Sequence, residues 1–188
     1  AGEAAEKGIK NINPSCHTSV IPIADGGEGL LDVLVTATKG EYITLSAHDP
    51  LMEMTETRYG LSGNGKTAII EMAAISGLPL VPIEQRNPML TTTFGTGELI
   101  KDALNKGYRD FIIGIGGSAT NDAGLGMLQA LGFRFLDKSG HTLGTGGQIM
   151  EAVANIDTSG IHPALKEAHF MVAVSYTHLR AHETRSNL

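Results

Sequence analysis

Short apolar runs alternate along the chain with segments in which apolar residues recur at helical spacing. Residues 110–115 are apolar almost throughout, which is typical of a strand buried on both faces of a parallel sheet. Residues 98–106 carry one apolar stripe and precede Gly107, a residue type favoured just after a helix ends. The alternation indicates βαβ units. The sequence therefore predicts an α/β fold, a Rossmann-like parallel sheet with helices on both faces.

The same pattern predicts the positions of the individual elements. The predicted helices span residues 3–10, 30–38, 98–106, 122–131 and 149–154. The predicted strands span residues 19–24, 42–47, 53–59, 67–72, 110–115 and 133–136, and one more begins near Val172. No repeat and no low-complexity linker interrupts this order.

Three glycine-rich loops precede predicted helices, at residues 25–29 (DGGEG), 92–97 (TTFGTG) and 116–121 (GGSATN). A helix start leaves free N–H donors and the positive end of the helix dipole, which suit an anion. Loops that follow parallel strands meet at the carboxyl edge of the sheet, where open α/β folds bind ligands. The three loops together predict a phosphate site at that edge.

The composition narrows the class of protein. The 188 residues include 24 glycines, about twice the usual share of roughly 7%, and 41% are hydrophobic, which is enough for a core. A single cysteine excludes a disulfide scaffold. No apolar run approaches the roughly 20 residues of a membrane span, and a net charge of -6 without a basic patch argues against a nucleic-acid partner. We expect a cytoplasmic protein.

Residues 60–67 (GLSGNGKT) match the phosphate-loop pattern of many nucleotide hydrolases. That loop requires a buried strand before it and a helix after it. Here Glu56 and Arg58 make the preceding run half-exposed, and the following run favours a strand. The pair Asn64 and Gly65 is typical of a tight hairpin. We predict a β-hairpin, with Lys66 in its solvated turn.

Residues 114–119 (GIGGSA) match a dinucleotide-binding fingerprint, with Asp137 at the position of the ribose-binding acid. This match supports an alternative function, an NAD-dependent oxidoreductase. Asp122 argues against it, because its carboxylate would lie beside a pyrophosphate of the same charge. A metal ion between the two would remove that repulsion, as magnesium does in nucleotide kinases.

The segment at residues 174–184 (VSYTHLRAHET) contains His178 and His182 at a spacing that metal pairs use on helices. The segment also resembles one reading frame of a transposon-end adaptor used in sequencing libraries. We therefore interpret residues 174–188 as an adaptor-derived tail without an evolved function.

Taken together, residues 21–34, 64–82, 87–104 and 114–132 resemble the motifs of the ATP-dependent bacterial glycerate kinases. The resemblance covers residues 1–173 and implies a two-domain α/β protein with its active site between the domains. It also implies transfer of the ATP γ-phosphoryl group to a hydroxyl of D-glycerate, which gives a phosphoglycerate, with 2-phosphoglycerate favoured. ATP and Mg²⁺ are the implied cofactors.

The chain departs from that family at both ends. Members begin with a strand and a loop reading like DSFKGS, and they continue after the strand at residues 171–173 with a segment reading like CDVxNPL. Neither segment is present here. We expect residues 1–173 to contain parts of both domains, and the chain to be an incomplete enzyme that is inactive by itself.

Three carboxylates are the candidate catalytic groups. Asp25 or Asp122 is expected to hold Mg²⁺, because hard cations prefer carboxylate oxygens. Asp25 or Glu28 is expected to orient or deprotonate the glycerate hydroxyl. A role as a helix cap stays open for Asp25 and Asp122.

The remaining candidates would bind anionic groups. Phosphate oxygens are expected to accept hydrogen bonds from loop residues Gly26, Gly27, Gly116, Gly117, Ser118, Ala119, Thr120 and Asn121. Thr93, Thr96 and Gly97 are candidates for the glycerate carboxylate or a phosphate, with helix capping as the alternative for Thr96. Arg86 could bind a carboxylate, although a solvated loop arginine is the interpretation we favour.

Overall fold

Seven strands and five α-helices appear in a computed structural model, which describes residues 2–174. The helices are α1 (Gly2–Ile12), α2 (Leu30–Thr38), α3 (Ala73–Ser76), α4 (Phe94–Asn105) and α5 (Leu125–Ala130). The strands are β1 (Glu41–His48), β2 (Met54–Leu61), β3 (Thr67–Glu71), β4 (Asp110–Gly114), β5 (Arg134–Leu136), β6 (Asn155–Asp157) and β7 (His169–Ala173). The predicted adaptor-derived tail, residues 174–188, lies outside the described residues except for Val174.

The main sheet has five strands in the order β1-β2-β3-β4-β7. Strands β3, β4 and β7 are parallel, and β1 and β2 extend the sheet as antiparallel neighbours. Helix α4 connects β3 to β4, as expected of a βαβ unit. The α/β fold is confirmed, with a mixed sheet whose parallel half carries the loops of interest.

Helices cover both faces of the sheet, and strand β3 shows why. Its side chains alternate between the two faces, as strand geometry requires. Ala68 and Ile70 belong to the larger core cluster together with Leu99 of α4. Ile69, between them, packs in a second cluster with Val35 of α2. The prediction of helices on both faces is confirmed.

Strands β2 and β3 form the hairpin predicted from Asn64 and Gly65. Gly60 pairs with Ile69 in antiparallel register, and the Asn64 side chain accepts a hydrogen bond from the N–H of Lys66 at 3.0 Å. The turn lies at the amino end of β3, opposite the carboxyl edge of the parallel strands. The match to a phosphate loop is therefore a turn, as predicted.

Several predicted elements differ from the structure. Residues 19–24 form no strand, and Ile21 and Ile23 are exposed on either side of Pro22; proline cannot donate to a strand ladder. The helix predicted at 122–131 begins at Leu125, because Ala123 and Gly124 both have positive φ. In place of the helix predicted at residues 149–154, the chain forms a 3₁₀ helix at Gly147–Ala152.

The strand predicted at 133–136 exists as β5, but it pairs with β6 in a separate two-stranded antiparallel sheet. It is therefore not part of the parallel sheet, to which a Rossmann-like fold would assign it.

Within the described residues, none of the helices combines the length and apolarity needed to cross a bilayer.

Close packing of α4 on α5 generates a first prediction. An added Cβ at Gly97 would lie 2.7 Å from the Ala130 Cβ and 2.8 Å from the Met127 Cα. Gly97→Ala should therefore lower the free energy of unfolding by about 1–3 kcal/mol through overpacking, measured by urea denaturation of this chain. Gly144→Ala, with nothing within 4 Å, is the control and should change stability by less than about 0.5 kcal/mol. Equal effects of the two substitutions would contradict the packing argument.

Candidate functional site

Two glycine-rich loops meet at the carboxyl edge of the parallel strands. The Gly116 N–H donates to the Gly26 carbonyl at 3.0 Å. A Cβ at Gly116 would lie only 2.6 Å from the Gly27 Cα, and one at Gly26, whose φ is +91°, would strike the Ala173 carbonyl. Residues without side chains let the loops touch backbone to backbone. The contact brings residues 25–29 against residues 114–117, although they are far apart in sequence.

An open cleft of about 400 Å³ lies along this contact and is lined by Asp25, Gly27, Glu28, Ile115, Gly116, Gly117 and Val174. Asp25 and Glu28 are both exposed to solvent. Within residues 2–174, the Asp25 carboxylate accepts one hydrogen bond, from the Gly27 N–H at 3.2 Å. The structure thus brings together two predicted catalytic carboxylates and three predicted phosphate-binding glycines.

The loop at residues 116–120 is fixed by hydrogen bonds on both of its sides. The Gly117 carbonyl accepts from the Leu78 N–H at 2.9 Å, and the Ala119 N–H donates to the Ser76 carbonyl at 2.9 Å. The hydroxyls of Ser118 and Thr120 lie 2.6 Å apart. Within residues 2–174, the N–H groups of Gly117 and Ser118 donate no hydrogen bond. These two donors are the ones that the loop offers to an anion.

The N-terminus of α2 is occupied by a side chain that the sequence analysis did not single out. Glu71, at the carboxyl end of β3, is 8% exposed, and its carboxylate accepts from the Leu31 N–H at 2.9 Å. A buried carboxylate at a helix N-terminus is stabilised by the dipole and by the free N–H. Because Glu71 takes this position, α2 presents less of its N-terminus to a ligand than predicted.

Asp122 is 1% exposed and accepts hydrogen bonds from five donor groups. The Thr93 N–H and hydroxyl each donate at 2.9 Å. The N–H groups of Gly124 and Gly126 donate at 3.0 and 3.1 Å, at the start of α5. Asp122 therefore fastens α5 to the start of α4, in the manner of the capping alternative. Its roles in catalysis and in holding Mg²⁺ stay predictions, and its buried position gives them no support.

Thr93, Thr96 and Gly97 are also buried. The Thr93 hydroxyl accepts from the Met127 N–H at 2.9 Å in addition to its contact with Asp122. The Thr96 hydroxyl is 2.8 Å from that of Ser76. These groups are used within the protein, so that substrate binding by them stays a prediction without structural support. Asn121 is exposed, next to the fixed loop.

Arg86 lines two smaller clefts next to the first one. The cleft that it shares with Glu28 has a volume of about 280 Å³, and the other, which reaches Asn87 and Thr120, about 260 Å³. The Arg86 Nε donates to the Val81 carbonyl at 3.1 Å. Arg86 is exposed in a loop, as expected of a solvated loop arginine, and its hydrogen bonds to the Val81 and Leu78 carbonyls hold it beside the glycine-rich loop.

The dinucleotide alternative is not supported by the position of Asp137. This residue follows β5, which lies outside the parallel sheet. Its carboxylate accepts from the Ser139 and His141 N–H groups at 2.8 and 2.9 Å, and the His141 N–H is the main reason that the Asp137 pKa lies below its usual range. Asp137 closes its own turn and does not face the loop at residues 114–119 across a shared sheet edge.

Within residues 2–174 there is no group of three or more His, Cys, Asp and Glu side chains able to hold a metal ion by itself. Mg²⁺ at phosphoryl-transfer sites is usually held by one or two carboxylates, with phosphate and water oxygens completing the shell. The exposed carboxylate of Asp25, beside free N–H donors of the loop, fits that requirement.

Comparison with known proteins gives a consistent result. A model described as the glycerate kinase family matches residues 1–179. The chain is 52% identical to a glycerate kinase of Haemophilus influenzae, covering 90% of this chain and 45% of that protein. It is 48% identical to a glycerate 2-kinase of Escherichia coli, covering 93% and 46%. It thus spans less than half the length of the curated relatives it matches.

A solved structure is similar as well. The crystal structure of a Salmonella typhimurium LT2 protein assigned as a glycerate kinase 2 superposes with a TM-score of 0.79 at 47% identity. The match covers 90% of this chain and 46% of that one. The division of residues 1–173 between two domains stays a prediction.

The burial of Asp122 generates a second prediction. Asp122→Asn should lower the free energy of unfolding by about 2–3 kcal/mol. In asparagine an NH₂ group replaces one of the two carboxylate oxygens, and it cannot accept the hydrogen bonds that this oxygen receives. Urea denaturation measures the effect, with the exposed Asp110→Asn as the matched control. If Asp122→Asn leaves stability unchanged but weakens Mg²⁺ binding, the structural role is wrong and the metal role is supported.

Proposed function

The chain belongs to the glycerate kinase family, and on that premise we propose that the protein transfers the γ-phosphoryl group of ATP to a hydroxyl of D-glycerate. The product is a phosphoglycerate, with 2-phosphoglycerate favoured. The observation that carries the proposal is the cleft in which Asp25 and Glu28 lie beside the loop Gly116–Gly117. Because this chain spans about 45% of its relatives, the proposal concerns a full-length protein that carries this sequence, acting in the cytoplasm.

Phosphoryl transfer depends on positioning and on neutralising the charge of the phosphates. The Gly117 N–H, in the lining of the 400 Å³ cleft, would donate to a phosphate oxygen. Ser118 and Thr120 line the clefts next to Arg86; because one of their hydroxyls donates to the other at 2.6 Å, the pair keeps one O–H for a ligand. Glycine at position 117, with a φ of +73°, keeps the wall open so that a phosphate can approach the backbone.

Asp25 is the residue that we propose to hold Mg²⁺. Its carboxylate is exposed and has a single hydrogen bond within the described residues, so little is lost when it binds a cation. When bound, Mg²⁺ would neutralise negative charge on the phosphates. Without the ion, the negative charge of Asp25 would repel a phosphate on the same wall of the cleft.

Glu28 is the residue that we propose as the general base. It lines both the 400 Å³ cleft and the cleft shared with Arg86, so that a hydroxyl placed between them is within its reach. As the hydroxyl oxygen forms its bond to the γ-phosphorus, the bond from that phosphorus to ADP breaks. The hydroxyl proton passes to the Glu28 carboxylate.

Substitution at Asp25 tests the proposed activity. A full-length protein carrying this sequence should release ADP only when both D-glycerate and Mg²⁺ are present. Asp25→Asn should lower kcat/KM by about 100-fold or more, because phosphate charge is no longer neutralised at this wall. A coupled assay for ADP, with Mg²⁺ titrated for both proteins, measures the loss and the expected rise in the Mg²⁺ requirement.

Asp32→Asn is the matched control, since Asp32 is exposed on α2 and pairs with Arg58 at 2.9 Å. It should leave kcat/KM within about twofold, as expected of an exposed ion pair. NAD binding without metal, together with no glycerate-dependent ADP release, would overturn the proposed function.

Glu28→Gln tests the general base separately. It should lower kcat by about 100-fold or more while the KM for ATP changes little, because the amide keeps the size of the side chain but cannot take the proton. Steady-state kinetics and the pH profile of kcat provide the measurement. An unchanged kcat would exclude Glu28 as the base.

A further inference from the structure

We propose that the cleft between Glu28 and Arg86 is the acceptor subsite and selects a hydroxy acid by its carboxylate. In this arrangement Arg86 binds the carboxylate while the hydroxyl lies toward Glu28. The inference rests on the proposed function, since it identifies which substrate occupies this part of the site. It adds a residue that determines specificity, and it explains how the acceptor is oriented.

The cleft has walls of opposite charge. It is lined by Glu28, Leu78, Pro79, Arg86, Gly117 and Ser118 and has a volume of about 280 Å³. An acidic side chain, a guanidinium and a glycine-rich backbone therefore surround one small space. A hydroxy acid carries an anionic carboxylate and a neutral hydroxyl on neighbouring carbons. The carboxylate can lie against Arg86 and the neutral hydroxyl against Glu28. An anion without a neutral end would also lie against Glu28 and would be repelled by its negative charge.

Arg86 is held in position and still has donors to spare. Its guanidinium donates from Nε to the Val81 carbonyl at 3.1 Å and from Nη2 to the Leu78 carbonyl at 3.4 Å. Arginine has five N–H donors, so three remain for a ligand. Within residues 2–174, no carboxylate pairs with Arg86. A guanidinium anchored by main-chain carbonyls and free of a protein anion is suited to bind a carboxylate through two N–H groups.

The other predicted carboxylate-binding groups are unavailable in the described structure. Thr93 and Thr96 are 2% and 0% exposed, and their hydroxyls bond to other protein groups. Among the described residues, Arg86 supplies the positive charge in the lining of the two smaller clefts beside the glycine-rich loop. The proposed location of the phosphate groups is the 400 Å³ cleft next to Asp25, whose lining does not include Arg86. This division assigns phosphate to the Asp25 side and carboxylate to the Arg86 side.

Steady-state kinetics of the Arg86→Gln variant of a full-length protein carrying this sequence test the assignment. The KM for D-glycerate should rise by about 30-fold or more, because a charge-assisted pair is lost, while the KM for ATP stays within about threefold. Glyceramide, which replaces the carboxylate with a neutral amide, provides a second readout. Wild-type protein should prefer glycerate strongly over glyceramide, and Arg86→Gln should lose most of that preference.

Arg58→Gln is the matched control, because it removes the same charge from an exposed residue of β2. It should leave both KM values and the glycerate preference unchanged. Arg86→Lys keeps the positive charge and should recover part of the glycerate affinity that Arg86→Gln loses. If Arg86 had only a structural role, restoring the charge would not improve glycerate binding in particular.

Each contrary result has a distinct meaning. An active wild-type protein whose glycerate KM is unaffected by Arg86→Gln would overturn the subsite but not the proposed function. A rise confined to the KM for ATP would place Arg86 on the nucleotide, and equal rises for both substrates would indicate a structural role; either result overturns the inference. A wild-type protein with no glycerate-dependent ADP release would overturn the proposed function itself.

Discussion

The candidate site depends on one backbone contact, the hydrogen bond from the Gly116 N–H to the Gly26 carbonyl. Around it, a Cβ at Gly116 would meet the main chain of Gly27 in the opposing loop, and a Cβ at Gly26 would meet the Ala173 carbonyl at the end of β7. This contact keeps Asp25 and Glu28 beside the loop that follows β4. A larger residue at Gly116 would push the loop that carries Asp25 and Glu28 away from the loop that follows β4, although it would not contact either carboxylate itself.

Buried carboxylates support that contact from both sides. Glu71 accepts a hydrogen bond from the start of α2, the helix that follows the Asp25 loop. Asp122 joins the starts of α4 and α5 behind the loop at residues 116–121. In both cases the N–H groups at a helix start are bound by the protein. The acidic groups of this region thus divide into two that are buried and structural, Glu71 and Asp122, and two that are exposed, Asp25 and Glu28.

Much of the fold was predictable because periodicity reports directly on burial. The bounds of α2 are the predicted 30–38, and the hairpin at Asn64 and Gly65 follows from turn chemistry that needs no tertiary contact. Residues 19–24 show the limit of this reasoning, because an apolar run becomes a strand only if another strand pairs with it. Local patterns also cannot show that β5 pairs with β6 outside the main sheet.

The candidate site was predictable in part. Glycine-rich loops with acidic residues indicated Asp25, Glu28 and residues 116–120, which the structure brings to one edge. Whether a polar residue such as Asp122 or Thr96 is buried depends on packing between helices, which a loop motif does not encode. Arg86 and Glu71 lacked a motif of their own. The sequence offered only weak signals for them. Glu71 ends an apolar strand, and Arg86 lies in a turn near a proline.

The hydrogen bonds that Gly117 and Ala119 make to residues 76–78 have a consequence for binding. Ordering a flexible backbone costs roughly 1–2 kcal/mol per residue in conformational entropy. Here that cost is met during folding, so a phosphate meets donors that are already in position. Anion recognition by this loop should therefore proceed as docking onto a rigid surface, and discrimination between anions should come from shape and charge rather than from loop closure.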